Sequence, residues 1–328
     1  MGRLHAENAA AVRGIELVRV VDENEAIARD TGEELGCDWS TSYEELLADE
    51  RIDGVVIVTP TPLHVAMIEQ AAAAEKHVFC EKPLAFDIDD AERAVEAAET
   101  ARVQLQVGFH RRFDPDWASA TKRIKSGQLG DVYLFRTSLR DMAPPPIGYI
   151  RSSGGFFVDV TIHDLDTARW MVGEIAEVAA FGAALSDSAF ADAGDLDNAI
   201  VTLRFENSAL GVIDNSRVAG YGYECSTEVV GSNATVRIGS HRRLHTEWLT
   251  AGGLQVDWVS NFVERYPQAY RLELEHFATA IRDDVPPLVT GEDGIAALLL
   301  AHACQRSHDE GRPIRLDTKY GPPTKARR

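Results

Sequence analysis

The chain has 328 residues, 45% hydrophobic and 26% charged, with 33 Lys and Arg against 52 Asp and Glu and a formal net charge of −19. That length carries a large core and two domains, and the acidic surface repels nucleic-acid phosphates and anionic membranes, excluding both as partners. No apolar run approaches the roughly 18 residues of a membrane span. The opening MGRLHAENAAAVRG lacks a secretory apolar stretch, so the sequence reads as cytoplasmic.

Residues 3–13 read as an Ala-rich helix ending at Gly14, and LVRVVD (17–22) as a β-branched strand. A helix leads to Gly36, and Thr41 or Ser42 caps a short one after it. GVVIVTP (54–60) reads as a buried strand, 62–74 as a helix, HVFCEKP (77–83) as a short strand. Asp87 starts a helix with Ala91, Ala94, Val95 and Ala98 on one face, and VQLQVGF (103–109) closes the alternation. Such alternation predicts a parallel sheet covered by helices, a Rossmann-type α/β domain over 1–109. From 110 to 317 the pattern predicts an α+β domain around a large open antiparallel sheet. Its strands are 131–141, 176–185, 198–207 and 209–218, then STEVVG and ATVRIG. Helices are predicted near 114–126, 162–173, 262–283 and 292–311, and 318–328 as a flexible basic tail.

Cys37, Cys80, Cys225 and Cys304 form no CxxC pair and are expected as reduced thiols. His241 and His245 (HRRLH) have helical i, i+4 spacing but no third ligand nearby, so no metal site is expected.

A dinucleotide fold normally opens with a strand and a G-x-G-x-x-G turn, and an acidic residue about 20 positions on binds the ribose. Gly2 starts the first helix and Asp22 lies 20 residues later, which fits Gly2 as the third glycine. The first strand and two glycines are missing upstream. We therefore expect about a dozen residues before Met1 in the working protein. Asp22 reads either as a ribose ligand, favouring NAD over NADP, or as an ordinary polar cap. Lys82, in Glu81-Lys82-Pro83, stands at the carboxyl end of a parallel strand, where ligands of α/β sheets bind. It reads as a hydroxyl ligand or as a surface lysine. In GGFFVDVTIHDLD (154–166), Asp159 and His163 are four apart and share a face if the helix begins near Asp159. They form a carboxylate and a general base, or else an acidic helix start with Asp164 and Asp166 solvated and His163 merely packed.

Together these motifs resemble the glucose–fructose oxidoreductase/inositol dehydrogenase family: MGRLHAEN, VTPTPLH (58–64), HVFCEKPLA (77–85), VGFHRRFDP (107–115) and GGFFVDVTIHDLD (154–166) fit its signatures in order. RDMAPPP (140–146), DNSRVAGYGYE (214–224) and EVVGSNATV (228–236) are similar to myo-inositol 2-dehydrogenases. The resemblance implies NAD-dependent oxidation of a ring hydroxyl of a cyclic polyol or sugar. Asp22 would bind the adenosine ribose, Thr59, Pro60 and His64 would lie along the cofactor, and Glu81 and Lys82 near the nicotinamide. Lys82, Asp159 and His163 would be the catalytic trio, with Arg112 and Tyr221 or Tyr223 touching cofactor or substrate. It also implies homodimers or homotetramers formed through the sheet. Two rival readings are an NAD-using glycoside hydrolase of the same fold and a non-catalytic polyol-binding homologue.

Overall fold

The protein, a computed structural model, is described over residues 1–239 and 242–316, without the His245 side chain. The predicted tail 318–328 and His241 lie outside the described residues. In chain order the elements are α1 (Gly2–Ala11), β1 (Arg19–Val21), α2 (Glu25–Leu35), β2 (Asp38–Ser40), α3 (Tyr43–Leu47), β3 (Gly54–Ile57), α4 (His64–Ala73), β4 (His77–Glu81), α5 (Ile88–Ala101) and β5 (Leu105–Gly108). Then come α6 (Pro115–Lys125), β6 (Val132–Arg140), α7 (Ile147–Ile150), α8 (Ile162–Val172), β7 (Ile175–Ala183), α9 (Ser188–Asp192), β8 (Asn198–Phe205) and β9 (Leu210–Ser216). The last are β10 (Glu224–Gly231), β11 (Thr235–Ile238), β12 (Arg242–Thr250), β13 (Gly253–Trp258), α10 (Phe262–Arg265), α11 (Pro267–Arg282), α12 (Gly291–Glu310) and β14 (Ile314–Arg315). Among the described residues no helix is long and apolar enough to cross a membrane.

Local chemistry sets many of these boundaries. The Asn24 side chain accepts from the Ala26 and Ile27 amides, Ser42 from Glu45, and Asp87 from Asp89, each satisfying donors that a helix start leaves open. Gly36 ends α2 in the left-handed conformation at φ 70°. The α5 face of Ala91, Ala94, Val95 and Ala98 is the buried one.

The chain divides into two compact units, Met1–Phe113 with Gln268–Ile295, and Asp114–Pro267 with Ala296–Arg328. The division differs from a single change at 109/110 because α11 returns to the first unit. Its Leu274 and Phe277 complete a core with Ala9 and Phe79, flanked by Ile15, Leu17 and Ile281. An amphipathic period shows that a helix buries one face, not which core receives it.

In the first unit the parallel strands form two sheets, β1-β2 and β3-β4-β5. β3 is an edge, and Val56, read as part of a buried strand, is 38% exposed. The second unit holds a seven-stranded sheet, β11-β10-β6-β9-β8-β7-β14. It is mixed rather than wholly antiparallel, because β6 pairs parallel with β9. The long connection between them carries α7, α8, α9 and the two strands β7 and β8, the crossover that parallel neighbours require. One sheet face buries Phe135, Val178, Val201, Leu203, Ile213 and Val229, with α8 packed on β6. The stretch around HRRLH is not helical: residues 242–250 are strand β12, paired antiparallel with β13. Alternate residues of a strand point to opposite faces, so helical spacing has no meaning there.

Candidate active site

In the first unit the predicted cofactor residues cluster at strand ends. Asp22 follows β1, its Oδ1 accepting from the Asn24 amide at 2.9 Å, and no cation pairs with it among the described residues. Helix α1 starts at Gly2 with no side-chain cap and no acidic residue in its first turn. This donor set fits a dinucleotide: open amides at a helix N-terminus suit a pyrophosphate, and an unpaired carboxylate suits ribose hydroxyls.

Thr59 and Pro60 lead from β3 into the turn before α4. The Thr59 hydroxyl meets the Met67 sulfur at 3.4 Å. His64 is buried, with Nδ1 2.9 Å from the Pro83 carbonyl and Nε2 2.9 Å from the Thr59 carbonyl. Its ring therefore ties the Thr59 turn to the turn after β4. Burial pushes its pKa below the ordinary imidazole value, against the pull of those carbonyls. Glu81 ends β4 buried, its Oε1 2.8 Å from His5 Nε2 and its Oε2 accepting from the Lys82 amide at 3.0 Å. Gly108 on β5 leaves room for that carboxylate, since a Cβ there would lie 3.2 Å from its Cδ and Oε2. Lys82 is half-buried at the turn. Arg112 is 5% exposed and its guanidinium is engaged by Asp293, with Nη2 at 2.9 Å from Oδ1 and Nη1 at 3.0 Å from Oδ2. Nη1 also reaches the Leu288 carbonyl at 3.2 Å.

In the second unit Asp159 lies in a π-helical turn, Phe157–Thr161, that runs into α8, and His163 stands half-buried in the first turn of α8. Such insertions re-aim side chains and recur at functional sites. Asp159 Oδ1 accepts from the Tyr149 hydroxyl at 2.8 Å, and Oδ2 from Arg217 Nη1 at 3.0 Å. Arg217 is 1% exposed and its guanidinium lies over the Phe156 ring at 5.4 Å. Asp195 anchors the same turn, its Oδ1 accepting from the Phe156 amide at 2.8 Å. Asp164 and Asp166, taken as solvated in the packed-helix reading, are buried instead. Asp164 accepts from Thr137 at 3.1 Å and from Asn215 at 2.7 Å, which fastens α8 to β6 and β9. Sheet donors aimed at the helix replace its water.

Tyr221 and Tyr223 sit differently. Tyr223 is 4% exposed, edge-on to Tyr266 at 6.4 Å. Tyr221 is exposed on a hollow of about 450 Å³ lined also by Met142, Arg243 and Trp258. Its hydroxyl bonds Glu224 and accepts from Arg140 at 3.2 Å. Burial and the Glu224 carboxylate push its pKa up, so it remains a donor. Sequence reasoning singled out neither Arg217, Tyr149 nor Asp195. Arg217 lies inside the quoted DNSRVAGYGYE stretch, but nothing local marks it as the partner of Asp159, 58 residues away.

The description "Oxidoreductase family, NAD-binding Rossmann fold" matches residues 1–109, and "Oxidoreductase family, C-terminal alpha/beta domain" matches 121–316. The chain is 40% identical over 325 residues to myo-inositol 2-dehydrogenase of Thermotoga maritima, covering 98% of this chain and 97% of that one. It is 38% identical to scyllo-inositol 2-dehydrogenase (NAD(+)) of Bacillus subtilis, covering 97% and 94%. The crystal structure of scyllo-inositol dehydrogenase from Lactobacillus casei, with bound NAD(H) and scyllo-inositol, superposes with TM-score 0.89 at 29% identity, covering 96% and 95%. With two family descriptions covering most of its length, amide donors at the α1 N-terminus and a carboxylate acceptor at the end of β1, the chain belongs to the glucose–fructose oxidoreductase/inositol dehydrogenase family and is an NAD-dependent dehydrogenase.

Proposed function

We propose that the enzyme oxidises one ring hydroxyl of an inositol or closely related cyclic polyol, with Lys82, Asp159 and His163 acting on it. The observation that carries this reading is the buried Asp159 carboxylate, held by Arg217 and Tyr149 at the start of the helix that presents His163. A fixed acceptor four residues ahead of a titratable imidazole suits a substrate made of adjacent hydroxyls. Bound NAD supplies a hydride acceptor. The α1 N-terminus and Asp22 would hold its pyrophosphate and ribose, Thr59, Pro60 and His64 would lie along it, Glu81 and Lys82 near the nicotinamide, and Arg112 would contact cofactor or substrate hydroxyls. His163 takes the hydroxyl proton as general base, so oxidation rises with pH as the ring becomes neutral. Lys82 stabilises the developing oxyanion, help worth on the order of 10²–10³ in rate per donor. Asp159 orients His163 or grips a neighbouring hydroxyl, and Tyr221 or Tyr223 meets the rest of the ring. The working form is a cytoplasmic homodimer or homotetramer, its interface on the open sheet face.

The test is NADH formation with myo-, scyllo- and chiro-inositol and pyranose sugars, in wild type, Lys82→Ala and His163→Ala. We expect turnover with at least one inositol. Each variant should lose about 10²-fold or more in kcat with NAD affinity nearly unchanged. Normal turnover in either variant removes that residue from the mechanism, and turnover with sugars alone removes the inositol assignment.

A further inference from the structure

Beside the Lys82 turn lie three titratable side chains, two of which the oxidation as proposed leaves without a task. They are His5 on α1, Glu81 at the end of β4 and Glu273 on α11, all in the same unit. One ligand-type atom from each lies within 4.8 Å of the other two, and all three residues are buried. His5 and Glu81 are a bonded pair, and Glu81 also accepts from the Lys82 amide. Glu273 is 0% exposed, and neither carboxyl oxygen has a hydrogen-bond partner among the described residues. Gln106 donates to the Glu273 main-chain carbonyl at 2.8 Å and not to its side chain.

An ionised Glu273 would therefore sit without solvent beside the Glu81 charge, and two carboxyl groups so close do not both ionise. The directions agree. Burial, then the Glu81 charge, push Glu273 well above the carboxylate range. Burial alone would raise Glu81 too, but the His5 hydrogen bond and the charges of His5 and Lys82 bring it below. His5 from α1 and Glu81 from the β4 end adjoin Glu273, Glu81 feels the Lys82 charge, Tyr270 and His276 lie one turn either side on α11, and His110 stacks on Tyr270 at 4.7 Å. A metal ion is the other way to join such groups. The 2.8 Å between His5 Nε2 and Glu81 Oε1 is a hydrogen bond, shorter than the about 3.3 Å that separates ligands on tetrahedral zinc.

We propose that Glu273 keeps its proton in the working enzyme and is a positioning residue for Lys82. As a neutral acid it leaves Glu81 the sole carboxylate of the cluster, so Glu81 stays between His5 and the Lys82 amide and sets the turn that carries the Lys82 ammonium. A second charge would drive Glu81 off that amide. The inference rests on the catalytic reading of Lys82.

The test uses Glu273→Gln, Glu273→Ala and Lys82→Ala in the full chain. An infrared difference between wild type and the Gln variant at neutral pH should show the carbonyl band of one protonated carboxylic acid. Below the ordinary carboxyl value both folded and unfolded wild type hold this proton; above it only the folded state does, so rising pH works against wild type and not against the Gln variant. The Tm of the Gln variant relative to wild type should therefore climb from about pH 5 to about pH 8. The Ala variant should lose about 10–100-fold in kcat with little change in NAD affinity, and Gln should restore most of it. Absence of the band, a Gln variant as impaired as Ala, or one metal ion per chain lost in the Gln variant overturns the proposal. If the Ala variant does not fold, the band and the Gln pH series still decide. Normal turnover in Lys82→Ala defeats the Lys82 reading instead, and the band reports the Glu273 proton independently of it.

Discussion

Arg217 places a guanidinium with almost no solvent against Asp159 at 3.0 Å, with Asp195 at 3.7 Å and the Phe156 ring beneath it, so the charge that fixes the carboxylate is itself held by a second carboxylate and by packing. Removing one partner of a buried pair leaves the other charge without water or cation, which costs more than the pair is worth. Arg217→Met is expected to destabilise the protein by about 3–5 kcal/mol, read as a shift of the urea midpoint, and to cut turnover by freeing Asp159. A midpoint unchanged within error would show that Asp159 finds another partner. At this scale the sequence named Asp159 and His163 from their spacing, because both belong to one turn of chain. Arg217, Tyr149, His5 and Glu273 escaped it because each meets its partner across a fold no local period records.

Caps and turns were the most legible elements. Asp87 and Ser42 cap the helices assigned to them, and Gly36 ends α2, because a side-chain oxygen or a missing Cβ acts within a few residues. The β10–β11 turn shows a longer-range demand on glycine. A Cβ on Gly231 would lie 2.3 Å from the Leu129 carbonyl oxygen, where the Asn233 amide already donates at 2.9 Å and Ser232 supports the Asp131 amide at 3.0 Å. Gly231→Ala should cost about 1–3 kcal/mol by overpacking against backbone, seen as a lower Tm. An unchanged Tm would mean the Leu129 loop yields freely. The short β2 and the β12–β13 hairpin were missed; β2 has only three residues, and β12 is polar and charged with no clean alternation.

One face of the seven-stranded sheet carries exposed apolar side chains. Direct cross-strand pairs put Phe181 beside Ile200, and Leu134 beside both Leu210 and Val230. Phe181, Ile200, Leu134 and Leu210 are 69%, 53%, 50% and 46% exposed. Exposed apolar groups of this kind suit an interface between two copies of the chain, and a self-complementary face of that sort would make a two-fold dimer. Ile200→Glu should shift the mass in light scattering to the monomer at micromolar concentration. A wild type already monomeric would remove the interface.

From its order of residues alone this chain determined the β/α alternation of its nucleotide half, the helix starts, the acidic end of β1, the lysine after β4 and the place of Asp159 and His163 at the start of one helix, because each is written in spacing within one element or one turn. Only the tertiary structure decided that α11 returns to the first unit, that β6 and β9 run parallel, that Asp164 is buried, and that Arg217 and Glu273 stand beside the residues the motifs named. Those outcomes depend on which distant segments share a core and lose their water together, and no local pattern carries that information.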